Sequence, residues 1–306
     1  MTSSLDTTTR LGPLLLDTPL IAAAGTFGAV VDFVAVAALE AYGAAVAKSV
    51  SVEPWPGRPA PRVGSVGTGM LNGIGIQNPG IEAWVLSMAS EIEGVPIPVW
   101  GSAVGHTPGE FAFVATEMAR SGVGAVEINL SCPNLEGRGV IALDAMKSGE
   151  VVAAVRSAVD IPIGAKLSPN AGDIVGVAGA VMDAGADFLT LTNTVRGAGI
   201  DVRTRRPILS GLIGGYSGPP LKPISLACVL EVHREIPDAP IVGCGGVRSG
   251  EDVIEYLLAG ASAVGLGSVH FLEPRAGSRI LGEVLRLARE LECETLRELV
   301  GGVKPW

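Results

Sequence analysis

Short apolar runs rich in Val, Ile and Ala alternate along this chain with longer stretches whose apolar residues recur at helical spacing. Eight runs read as strands: Pro19–Gly25, Ala44–Val50, Ile97–Ala103, Ala125–Ser131, Pro162–Ser168, Phe188–Asn193, Pro240–Gly246 and Ala263–Ser268. Most are apolar at successive positions rather than at alternate ones, the pattern of parallel strands buried on both faces. Helices are expected between them, near Asp32–Tyr42, Ile81–Glu93, Pro108–Ser121, Glu150–Val159, Asp173–Ala184, Ile224–Glu235, Gly250–Ala259 and Pro274–Arg289. Eight strand–helix units in 306 residues predict an α/β chain folded as one (β/α)8 barrel domain over 1–306. The stretch before Pro19 is expected to form a small hairpin closing the barrel bottom. A doubly wound open sheet is the competing topology, but it usually carries a Gly-rich fingerprint after its first strand, which AAAGTFG lacks.

Composition changes this picture in three ways. With 48% hydrophobic and 17% charged residues the chain has the means to bury a large core, which excludes disorder. Gly, Pro or a charge interrupts each apolar run before the ~18 residues of a membrane span, and MTSSLDTTTR lacks the basic-then-apolar order of a signal peptide. A net charge of −9 without any basic run argues against nucleic acid and anionic membranes as partners. The cysteines at 132, 228, 244 and 293 show neither CxxC spacing nor a paired framework. That fits a reduced, cytoplasmic enzyme and argues against a metal or iron–sulfur site within this chain.

In a barrel of this kind the chemistry sits at the C-terminal strand ends. Here those ends carry Lys48-Ser49, Asn129 with Ser131-Cys132-Pro133-Asn134, Lys166, Asn193-Thr194, Gly245-Gly246 and Gly267-Ser268. A lysine emerging from an apolar strand is costly to bury unless a charged partner meets it, so Lys48 and Lys166 point to an anionic, electron-accepting ligand. The paired glycines offer backbone N–H groups to a phosphate, or simply turn the chain. Cys132, between Asn129 and Asn134, suits a proton-transferring base better than a covalent nucleophile, because no histidine is near it in sequence. The other cysteines read as small hydrophobes. The segment from Met70 to Gly80 exposes glycine N–H groups and the amides of Asn72 and Asn78, either to pair with an amide-rich heterocycle or to make an ordinary loop. No GxSxG elbow, HxH or HExxH spacing supports hydrolysis.

The segments AAAGTFG, KSVSVEPWPGRPAPRV, GMLNGIGIQNPG, INLSCPN, AKLSPN, LTNT, YSGPPLKP, GCGGV and GLGS, in this order, resemble dihydroorotate dehydrogenases from about Pro19 to Phe271. An active-site Cys in place of Ser makes the chain similar to the class 1 enzymes, and the wording around Lys48 and Asn72 to class 1B. The resemblance implies an FMN-binding barrel that oxidises dihydroorotate to orotate in pyrimidine synthesis, with Cys132 taking the proton from C5 as a hydride leaves C6 for flavin N5. It maps the substrate to Lys48, Asn72, Gly73, Ile74, Gly75, Ile76, Asn129, Asn193 and Thr194. It maps the flavin to Ala24, Lys48, Ser49, Ser102, Asn129 and Lys166, and further along the chain to Thr192, Gly218, Gly245, Gly246, Gly267 and Ser268.

The chain departs from the family at Ser102, where relatives usually carry Asn, at Trp55 and Arg58 after the KS motif, in the loop after Cys132, and in the Gly and His of VGLGSVHF. Class 1B chains work with a second subunit carrying FAD and a [2Fe–2S] cluster, which passes electrons to NAD⁺. A homodimer core within a heterotetramer is therefore expected. The alternatives are a fumarate-linked enzyme, a related flavin dehydrogenase of another dihydropyrimidine, and a catalytically silent flavin- or phosphate-binding scaffold. Leu135–Ser148 is expected to form a mobile lid over the site.

Overall fold

The structure, a computed structural model, describes residues 5–130 and 141–304. Eight parallel strands close a barrel in chain order: β1 Leu20–Ala22, β2 Ala44–Val46, β3 Val99–Ala103, β4 Ala125–Asn129, β5 Ile163–Lys166, β6 Phe188–Leu191, β7 Ile241–Cys244 and β8 Ala263–Leu266. The ring closes where Gly265 of β8 lies opposite Ile21 of β1. Among the described residues, seven α-helices surround it: α1 Ile81–Ile92, α2 Pro108–Arg120, α3 Ala145–Arg156, α4 Ile174–Asp183, α5 Lys222–Glu235, α6 Gly250–Leu258 and α7 Ala276–Glu290. No helix among the described residues is long and apolar enough to cross a membrane.

The uninterrupted apolar runs are explained by two cores. Strand residues that point outward, such as Val126, Ile128, Ala165 and Leu189, join the helix faces in one large cluster. Their alternates point inward, where Ile21, Ala44, Val46, Trp100, Ala125, Phe188, Val242 and Ala263 form a second cluster with Leu11 and Leu16. Those two leucines come from an antiparallel hairpin, Thr9–Leu11 with Leu14–Leu16, which plugs the N-terminal end of the barrel as expected. Trp100 and Phe188 pack there with ring centroids 5.1 Å apart. Towards the C-terminal end the inward positions turn polar, with Glu127, Asn129, Lys166, Thr190 and Cys244 replacing aliphatic residues. Polarity inside the barrel is thus confined to the end where the strands open.

Helix starts follow their capping residues. Thr107, Asp144, Asp173 and Ser249 each accept a backbone N–H of the first turn, contributing about 1 kcal/mol apiece. Asp144 starts α3 five residues ahead of the expected Glu150. The second half of the expected lid, 141–148, is therefore a 3₁₀ turn and a helix start, with Ser148 fully buried; 135–140 lie outside the described residues.

The expected helix Asp32–Tyr42 does not form. Two 3₁₀ turns, Val31–Phe33 and Leu39–Ala41, take its place. The segment has no side-chain cap, Val30 enters it at φ +73°, and β-branched Val31, Val34 and Val36 disfavour a helix. The broken path instead buries Phe27, Ala37, Leu39 and Tyr42 together. A further element was unexpected: a four-stranded antiparallel sheet of Val63–Val66, Gly69–Asn72, Gly214–Ser217 and Val195–Gly197, built from the excursions after β2 and β6.

Candidate active site

A cavity of about 610 Å³ opens at the C-terminal end of the barrel, roofed on one side by the antiparallel sheet. Its size falls in the ordinary range of small-molecule sites, about 300–1,000 Å³. Lys48 and Ser49 reach it from the end of β2, Asn129 from β4, Lys166 from β5, and Thr192, Asn193 and Thr194 from β6. Ala24, Gly245, Gly246, Gly267 and Ser268 line the side of β1, β7 and β8, with Gly218 just past the sheet strand Gly214–Ser217. Asn72, Ile74 and Ile76 complete the wall.

The amides are held in a connected row. Asn193 Nδ2 donates to Asn129 Oδ1 (3.3 Å), Asn129 Nδ2 donates to Ser49 Oγ (3.0 Å), and Ser49 Oγ is 2.9 Å from Ser102 Oγ. Asn72 Nδ2 donates to the Gly215 carbonyl across the sheet at 3.2 Å. Thr192 is anchored from below by the Ser225 hydroxyl, 2.6 Å away on α5.

Three residues expected at the ligand fall outside the cavity lining. Ser102 is fully buried and does not line the cavity; it stands behind Ser49 and supports it. In the run Asn72–Ile76 the alternate residues diverge. Gly73 and Gly75 face the Arg58 side, where an added Cβ would meet Arg58 atoms at 3.5 and 2.7 Å. Asn78 also turns away, accepting from the N–H groups of Ser51 and Gly80 and donating to the Ile76 carbonyl, so that its amide shapes the loop. Cys132 lies outside the described residues, as do Ser131, Pro133 and Asn134; Asn129 and Leu130 lead up to it.

Several lining residues were not singled out from sequence, among them Ala23, Thr26, Met70, Ser217, Cys244 and Phe271. Most are apolar or small, and only their place beside a strand end could have marked them. Cys244, read as a small hydrophobe, borders the cavity beside Lys166. Burial pushes its thiol upward, with Lys166 opposing. For Lys166 burial acts downward, but Glu127 beside it (3.4 Å) and the Cys244 thiol outweigh this and hold the ammonium above the ordinary lysine value.

A fixed chain of hydrogen bonds backs the rim. Thr26 donates to the Ala23 carbonyl (2.7 Å), so its oxygen accepts from His270 Nδ1 at 3.0 Å. His270 Nε2 then accepts from the Tyr42 hydroxyl at 2.8 Å, and the Gly277 N–H at the start of α7 donates to the Tyr42 oxygen. Burial pushes His270 down to about 3, so it is a neutral histidine of defined tautomer.

Comparison with known proteins bears on this geometry. The family described as dihydroorotate dehydrogenase matches residues 7–287. A protein of Pelobacter propionicus named "Dihydroorotate dehydrogenase B (NAD(+)), catalytic subunit" is 40% identical over 301 residues, covering 98% of this chain and 99% of its own length. One of the same name from Geobacter sulfurreducens is also 40% identical, covering 98% of each chain. In structure, a dihydroorotate dehydrogenase of Eimeria tenella crystallised with ferulenol superposes with a TM-score of 0.83 over 97% of this chain and 88% of its own; at 19% identity this speaks for the fold alone. The barrel, the motif order and the full-length likeness agree, and the chain belongs to the dihydroorotate dehydrogenase family.

Proposed function

We propose that this chain oxidises dihydroorotate to orotate in pyrimidine synthesis, using bound FMN. The observation that carries the reading is the convergence of this chemistry on one cavity: Lys48 and Lys166, the amides of Asn72, Asn129 and Asn193, and the glycine pairs after β7 and β8 all line it. The residues present fit a flavin phosphate. Among the described residues, Gly267 has only Ala23 Cβ near its missing side chain, at 4.0 Å, so a Cβ there would face the cavity. Gly245–Gly246 and Gly267–Ser268 would hold the phosphate on backbone N–H groups, and Lys166 would place a cation beside the ring. When bound, FMN supplies the acceptor for the hydride that leaves substrate C6.

The chain's own residues do the rest. Lys48 meets the substrate carboxylate, and the asparagine amides with Thr194 satisfy the two ring amides, which orients C5 and C6. By the family resemblance, Cys132 Sγ takes the C5 proton. The relatives' names describe a catalytic subunit of an NAD(+)-linked enzyme. We extend this to a cytoplasmic homodimer core that passes electrons to NAD⁺ through a second subunit carrying FAD and an iron–sulfur cluster.

The test is anaerobic mixing of the FMN-loaded protein with dihydroorotate while the flavin absorbance is followed. Bleaching is expected. An unchanged spectrum in a yellow protein rejects the substrate, and a protein that takes up no FMN rejects the mechanism. Cys132→Ser should slow bleaching by at least about 100-fold while dihydroorotate still binds, since proton abstraction loses its base.

A further inference from the structure

One buried charge has no part in the function proposed above. Glu127 sits in the middle of β4 between Val126 and Ile128, which face the helices, and it points into the barrel with 2% of its surface exposed. Its Oε1 lies 3.4 Å from Lys166 Nζ on β5, and its Oε2 accepts from the Thr190 hydroxyl on β6 at 2.8 Å. Three neighbouring strands thus contribute an acid, a base and a hydroxyl to one level of the barrel. Lys166 is itself almost fully buried, and it borders the cavity.

Stability does not account for this arrangement. Replacing a buried ion pair with apolar residues of similar volume is often neutral or stabilising. The layer just below shows that this barrel can be filled that way, with Trp100, Phe188 and Val242 occupying the equivalent inward space. The geometry is also unusual for a pair that serves only itself. At 3.4 Å the contact is longer than the ~2.7–2.9 Å of a charge-assisted hydrogen bond, while Glu127's closer bond goes to neutral Thr190. The carboxylate is anchored from β6, and the ammonium is restrained without being drawn fully onto it. With three donors, Lys166 keeps hydrogen-bonding capacity for a ligand in the cavity.

We infer that Glu127 is a positioning residue for Lys166: it holds the ammonium at the cavity floor and offsets its charge, and so limits how strongly the site favours the electron-rich form of a bound flavin. The inference rests on FMN as the ligand. Removing the carboxylate leaves Lys166 uncompensated, which should favour the reduced flavin. Removing Lys166 should have the opposite effect and should also abolish any influence of Glu127, because Glu127 acts through it.

The test is the two-electron midpoint potential of the FMN-loaded protein, measured by anaerobic dye equilibration. Glu127→Gln should raise the equilibrium constant for flavin reduction about tenfold, equivalent to about 30 mV for two electrons. Lys166→Met should lower it, and Glu127→Gln added to Lys166→Met should cause no further change. If the single Glu127→Gln chain fails to fold, Thr190→Val, which keeps both charges and frees the carboxylate to close on Lys166, should shift the potential the opposite way, downward, by a smaller factor. An unchanged potential in these variants overturns the inference, and so does a Glu127 effect that survives without Lys166. A wild-type chain that takes up no FMN overturns the proposed function and this inference together. A yellow wild type with unresponsive variants overturns the inference alone.

Discussion

His270 shows how much a single side chain does behind the rim. It is 2% exposed, neutral, and the central link between Tyr42 and Thr26. Because its folded value is about 3 against an ordinary 6.5, the unfolded chain binds a proton that the folded chain refuses anywhere between those two values. Stability from this group is complete above about pH 6.5 and is lost on acidification towards pH 3, by up to about 1.4 kcal/mol per pH unit. Melting midpoints recorded from pH 7 to pH 4 should therefore fall less steeply for His270→Asn than for the wild type, and parallel curves would refute the assignment. The sequence marked His270 only as a departure from relatives, since nothing local reveals that Tyr42, 228 residues away, will meet it. Glu127 was more legible than it looked. The cost of burying a lysine in an apolar strand singled out Lys48 and Lys166, and the same reasoning applies to a carboxylate inside AVEIN. Cys132 was marked by its neighbours Asn129, Pro133 and Asn134, and its role rests on that context and the family likeness.

At the scale of elements, the glycine turns after β7 and β8 are built for different ends. Gly246 sits at φ +72°, and a Cβ there would lie 2.7 Å from the Lys222 N and 2.9 Å from the Gly218 carbonyl. Gly267 has a negative φ and open space. Gly246→Ala should lower the melting temperature, with the left-handed backbone alone costing about 1–2 kcal/mol. Gly267→Ala should leave the melting temperature of the ligand-free protein unchanged yet weaken FMN uptake at least tenfold. Equal effects in both assays would show that neither glycine has a role specific to the ligand. The eight barrel strands were legible because burial on both faces erases the polar alternation, and that erasure is itself a signal. The antiparallel sheet was not. Its strands are three or four residues long, largely part-exposed and rich in glycine, so they carry no period that sequence could reveal. The segment 32–42 failed for the opposite reason: its apolar spacing resembled a helix, while tertiary burial around Phe27 and His270 bent it into two turns.

For the whole molecule, the proposed division of labour predicts that the purified chain, loaded with FMN, will bleach with dihydroorotate but reduce NAD⁺ at no more than about a hundredth of the rate reached when the second subunit is present. Equal NAD⁺ reduction with and without that subunit would remove the partner from the scheme. The hairpin at the barrel bottom bears on how such a scheme runs in time. Leu11 and Leu16 seal the far end against Trp100 and Phe188, so the cavity has no rear exit through the barrel. Under the proposed function, reactant and spent product must then share the strand-end doorway. On the proposed function, turnover should divide into two half-reactions taken in alternation, and initial-rate plots for the two co-substrates should run parallel, as in a double-displacement cycle.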